Sequence, residues 1–69
     1  MERVVINVLN EVRNTHGMTQ EALAEKVGVS RQTIIAIEKG KYTPSVSLAL
    51  RLAHAFSMRV EDLFSLSKS

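Results

Sequence analysis

The sequence predicts an all-α domain of five short helices, and three observations carry that expectation. Apolar residues recur three and four apart, as in Leu23 and Val27, Ile34 and Ile37, or Leu48 and Leu52, so each set lies on one face of a helix. Residues that start and stop helices, Thr19, Ser30, Ser45 and Gly28, stand at the ends of those runs. At 69 residues the chain has room for one domain, taken as 1–69, and a domain of this size buries only about 60% of the surface that its unfolded chain exposes.

The elements follow in order. Asn7 to His16 reads as a first helix with Leu9 and Val12 inward, ended by Gly17. Thr19 caps a second helix, Gln20 to Val27. Gly28 sits where the chain must reverse and a residue without Cβ takes a left-handed conformation at little cost. Val29 plugs that turn from beneath, and Ser30 caps a third helix, Arg31 to Lys39, which Gly40 stops. Lys41, Tyr42, Thr43 and Pro44 form a connector to Ser45, the cap of a fourth helix with Leu48, Leu52, Ala53 and Phe56 facing in. Val60 to Phe64 is a short fifth helix, with Glu61 and Asp62 in the first turn, where the helix amides favour negative charge. At the ends, the β-branched run Glu2 to Ile6 and the alternation in Phe64 to Ser67 suit two short strands that pair as an antiparallel ribbon. The ribbon is favoured over fraying because Val4, Val5, Ile6 and Leu66 would be costly to leave in water.

Residues 20 to 39, QEALAEKVGVSRQTIIAIEK, are the most informative stretch. Ala24 stands where the second and third helices cross, and a larger side chain there would force the backbones apart. With the glycine turn, the serine cap and four apolar sites in register, this is a helix-turn-helix over about 19–39, whose usual partner is DNA.

The chain resembles the Cro and phage-repressor, or xenobiotic-response-element, type of helix-turn-helix protein from about Asn7 to Phe64. The diagnostic runs are MTQEALAEKVGVSRQTI (18 to 34), IEKGKYTPS (37 to 45) and VEDLF (60 to 64). The resemblance implies a five-helix, lambda-repressor-like DNA-binding domain and a dimeric transcriptional repressor. It also implies a structural ion pair between Arg13, in RNTHG, and Glu38, in IEKGK; such a pair orients helices more than it adds stability. Two positions depart from the pattern: Arg59 occupies a cap position where a small hydroxyl residue is more usual, and Ser57 replaces a glycine.

Composition narrows the classes. Nine Lys or Arg against seven Asp or Glu leave a net charge of +2, so affinity for nucleic acid must come from the arrangement of charge. With no cysteine there is neither a disulfide nor a Cys-based zinc site, and the 45% of hydrophobic residues make dimerisation the natural supplement to a small core. Glu2, Arg3, Asn7, Asn10 and Glu11 interrupt the N-terminal apolar run, so neither a signal peptide nor a membrane span is expected and the cytoplasm is the expected location. His16 and His54 lie on different helices without a cluster of ligands, so no metal is expected. No phosphate loop or nucleophilic triad is present, which argues against an enzyme or a cofactor.

For docking in a major groove, the third helix leaves Arg31, Gln32, Thr33, Ile35 and Ala36 facing outward or to the flanks as base-reading residues. Arginine can bind guanine with two hydrogen bonds, glutamine can do the same with adenine, and an apolar side chain can cover a thymine methyl. Gln20, with the free amides of the second helix, is assigned to phosphate, as are Lys39, Lys41 and Tyr42 and, more weakly, Thr43 and Ser45. Val5, Leu63, Phe64 and Leu66 are assigned to a homodimer interface, as apolar surface left over once the core is full. The expected function is sequence-specific binding of double-stranded DNA at a partly palindromic operator, as a homodimeric repressor. An antitoxin of a toxin–antitoxin pair and a protein-interaction module that has lost DNA binding are the alternatives.

Overall fold

The computed structural model describes residues 4–67, so the Glu2 and Arg3 part of the expected N-terminal strand lies outside them. The order is β1 (Val5–Asn7), α1 (Leu9–Thr15), α2 (Gln20–Val27), α3 (Arg31–Glu38), α4 (Val46–Ala55), α5 (Val60–Leu63) and β2 (Phe64–Leu66). This is the five-helix, lambda-repressor-like architecture with a terminal ribbon. Among the described residues no helix is long and apolar enough to cross a membrane.

Residues spaced at helical intervals converge on one core. Leu9, Leu23, Ile34, Ile37, Leu52 and Leu63 are fully buried, with Ala24, Val27, Leu48, Ala53 and Phe56 around them. Ala24 is buried in this core, and Val29 packs against it from the turn.

Several boundaries differ from the sequence expectation; His16 is the C-cap of α1, and the strands span Val5–Asn7 and Phe64–Leu66. Asn7 belongs to β1 rather than to the first helix. Its Oδ1 accepts the Leu9 amide at 3.0 Å, so it performs a capping task from extended backbone, while its Nδ2 donates to the Ile37 carbonyl at 3.0 Å. Lys39 is the C-cap of α3. Phe64 leaves α5 at once for β2 because its extended backbone continues into the pairing with β1.

The ribbon is antiparallel, with Val5 opposite Leu66, Ile6 opposite Ser65 and Asn7 opposite Phe64. It is prolonged by Ser67 N–H to the Val4 carbonyl at 2.8 Å and Val8 N–H to the Leu63 carbonyl at 3.1 Å. Alternation sends Val5, Asn7, Phe64 and Leu66 to one face and Val4, Ile6 and Val8 to the other. Pairing therefore satisfies the backbone without covering the apolar side chains: Val4 remains 60% exposed and Leu66 55%. Leu63, expected among the uncovered interface residues, is only 1% exposed; it faces the core from the single turn of α5 and has no surface to offer a partner.

Candidate nucleic-acid interface

Caps fix the angle between α2 and α3. Thr19 Oγ1 accepts the Ala22 amide at 2.9 Å, and Ser30 Oγ accepts the Thr33 amide at 3.2 Å. Between the helices Gly28 adopts φ 81° and donates its N–H to the Ala24 carbonyl at 2.9 Å, closing α2 in the left-handed conformation that glycine permits. Arg51, reaching from α4, donates Nη1 to the Val27 carbonyl at 2.5 Å and covers the same helix end.

That turn presents α3 with its start outward. Arg31 and Gln32 are exposed and have no side-chain hydrogen bond or ion pair among the described residues. Thr33, Ile35 and Ala36 are half-buried on the flanks, and the Thr33 hydroxyl lies 3.0 Å from that of Ser30. Lys39, Lys41, Tyr42, Thr43 and Ser45 are exposed along the end of α3 and the connector. Ser45 Oγ accepts the Leu48 amide at 3.1 Å, which leaves its hydroxyl proton for an outside acceptor.

Behind this face, Glu38 gathers three elements. Its Oε2 accepts from Arg13 Nε at 2.6 Å, and its Oε1 accepts from Gln20 Nε2 at 3.0 Å and from Asn10 Nδ2 at 3.1 Å. Arg13 also donates Nη1 to the Met18 carbonyl at 2.8 Å. The two charged side chains keep only 10% and 5% of their surface in solvent. Burial pushes the Glu38 carboxyl up, but the hydrogen bonds from Arg13, Gln20 and Asn10, together with the Arg13 charge, hold it below the usual carboxylate range. Gln20 spends one amide proton on Glu38 and has a second left to donate.

The sequence reading did not connect Gln20 or Asn10 to Glu38. The bonds span 18 and 28 residues, and polar side chains carry no periodicity that would disclose such partners. It also passed over Glu21 and Glu25, which line an open cleft with Thr19, Gln20 and Arg31. His16 Nδ1 sits 2.9 Å from the Val12 carbonyl, and its ring lies against Phe56 with centroids 4.8 Å apart. Among the described residues no group of three or more His, Cys, Asp or Glu is placed to hold a metal.

Comparison with known proteins adds four findings. The family described as helix-turn-helix matches residues 9–63. An uncharacterized HTH-type transcriptional regulator of Methanocaldococcus jannaschii is 59% identical over 58 residues, covering 84% of this chain and 88% of its own. The uncharacterized HTH-type transcriptional regulator YgzD of Bacillus subtilis is 53% identical over 62 residues, covering 90% of this chain and 94% of its own. Among solved structures, the restriction-modification controller protein C.AhdI of Aeromonas hydrophila superposes with a TM-score of 0.74 at 31% identity, covering 78% of this chain and 82% of that one.

Proposed function

Since this chain belongs to the helix-turn-helix family, we propose that it is a DNA-binding transcriptional regulator that reads a specific sequence with the exposed start of α3. The observation that carries the reading is the contrast within that helix. Ile34 and Ile37 are locked into the core and Ser30 fixes the first turn, while Arg31 and Gln32 point into solvent with their donors uncommitted. In a major groove, Arg31 pairs with guanine and Gln32 with adenine, and Ile35 and Ala36 meet thymine methyls, with Thr33 at the flank. Gln20, Lys39, Lys41 and Tyr42, with Thr43 and Ser45, hold the backbone on either side.

The regulator acts as a homodimeric repressor on a partly palindromic operator. A two-fold dimer sets two recognition helices about 34–36 Å apart, so that both enter successive major grooves. Occupying a promoter in this way blocks transcription without any further surface. The names of the relatives support a transcriptional regulator, and the apolar surface left uncovered on Phe64, Val5 and Leu66 supports a dimer. Selection of bound sequences from a random DNA pool tests it: a single enriched site with inverted half-sites is expected, and retention of DNA without enrichment would refute sequence-specific reading.

A further inference from the structure

Between the last turn of α2 and the second half of α4 lies an open groove of about 440 Å³. Its lining is mostly apolar, from Val27, Leu50 and Ala55, and its polar groups come from Lys26, Arg51 and His54, all exposed. Among the described residues no acid lines it, and neither Lys26 nor Arg51 has an ion-pair partner. Arg51 is held in place. Its Nη1 donates to the Val27 carbonyl and lies 3.5 Å from where a Cβ on Gly28 would stand. The guanidinium is thereby fixed at the groove with its other N–H donors left for a ligand.

We infer that this groove docks an acidic, amphipathic segment of another protein, which sets aliphatic side chains into the hollow and carboxylates on Lys26, Arg51 and His54. Lys26 and His54 stand in the last turns of their helices, where carbonyl ends favour positive charge. That accounts for their place along each helix but not for their convergence, with Arg51, on one apolar hollow. Unneutralised cations brought together repel one another, and an anionic partner offsets that cost. Two cations and an imidazole spread over two helices suit several carboxylates rather than one. The apolar lining suits aliphatic side chains rather than a nucleic-acid backbone, and a groove between helices is a common seat for the apolar face of an amphipathic segment. Place separates this surface from the DNA face. No residue of α3 or of the connector lines the groove. Gln20 opens α2 and Ser45 caps α4, whereas Lys26 lies about 9 Å and His54 about 13 Å further along those helices. A regulator on DNA therefore keeps the groove open to its partner. That simultaneous occupation rests on the DNA-binding function proposed above; the docking groove does not.

Fluorescence anisotropy of the full chain with a labelled helical peptide that alternates pairs of glutamates and leucines tests the proposal. The glutamate peptide should bind saturably, and the same peptide with glutamine for every glutamate at least about tenfold more weakly. Lys26→Glu should raise the dissociation constant of the glutamate peptide at least about tenfold, and His54→Glu should repeat the loss from α4. Lys26→Arg should bind as wild type. Lys41→Glu, the same change of net charge at the connector, should cost much less. All four side chains replaced are exposed, so the variants should keep the circular dichroism of the wild type. Equal binding of the two peptides, wild-type binding by Lys26→Glu and His54→Glu, or equal losses in Lys26→Glu and Lys41→Glu would overturn the groove as the docking site. The DNA enriched from a random pool should add to the peptide complex without displacing the peptide. Displacement would overturn the proposal and assign these cations to phosphate. If selection enriches no sequence, the functional reading falls, while the DNA-free comparison of the peptides and variants still decides the groove.

Discussion

The two ends of this small domain solve opposite problems. Where α1, α2 and α3 meet, the buried Arg13–Glu38 pair is saturated: each side chain has hydrogen bonds beyond the pair itself, to Met18, Gln20 and Asn10. Where α4 meets the ribbon, the backbone is paired but Val46, Leu50 and Leu66 face water. The polar end is finished within one chain, and the apolar end is not. A finished polar hub holds the recognition helix at a fixed angle before any DNA arrives. An unfinished apolar face stabilises nothing until something covers it.

Removing one partner from the saturated end should produce the largest loss of stability. Arg13→Ala strands a buried carboxylate, at a cost of about 3–5 kcal/mol in denaturant unfolding. A loss below about 1 kcal/mol would mean that the pair behaves like an exposed one. Val46→Glu at the other end should leave the unfolding of a dilute monomer unchanged, which sharpens the contrast. Overpacking comes next. Ala24→Leu should separate α2 from α3 at about 1–3 kcal/mol, with DNA binding lost as a consequence, and unaltered melting and binding would show that the helices do not depend on a small residue there.

Acid should act on the polar end through Glu38. Because the Glu38 carboxyl is held below its ordinary value of 4.5, its contribution to stability is complete above that value and is lost as the pH falls through the depressed one. Wild type should therefore lose stability below about pH 4.5 more steeply than Glu38→Gln, measured by denaturant midpoints across pH. Parallel curves for the two proteins would contradict the assignment. The smallest effect belongs to the connector. Lys41→Ala should weaken binding to specific and random DNA alike and make the salt dependence shallower by about one unit of slope. An unchanged slope would remove Lys41 from the phosphate contacts.

What the sequence disclosed and what it hid divide along the same line. Thr19, Gly28, Ser30 and Ser45 were legible because capping depends on residues within one turn, and the structure places each at a helix end. The pairing of the chain ends followed from β-branched and alternating residues at both termini. Leu63 was misread as surface because a single-turn helix has too few residues for its buried face to be read from periodicity; the structure turns Leu63 inward and leaves Val46 and Leu50 outward. Those two, four apart on α4, look like core in a sequence and were not singled out. Asn7 reads as the first residue of a helix because it precedes the apolar spacing of Leu9 and Val12; it does bond the Leu9 amide, but its pairing with Phe64 places it in extended backbone. The bonds from Gln20 and Asn10 to Glu38 were hidden for the same reason, as long-range polar partners leave no local pattern.

In the proposed function, the saturated hub holds out Arg31 and Gln32 for reading bases. The most direct test compares Arg31→Ala and Gln32→Ala with wild type on selected and random DNA at fixed salt. Losses of about 1–3 kcal/mol are expected on the selected site, with relaxed preference at one base pair for each variant and a much smaller change on random DNA. Equal losses on both DNAs would show that these side chains only neutralise phosphate, and the claim would fail.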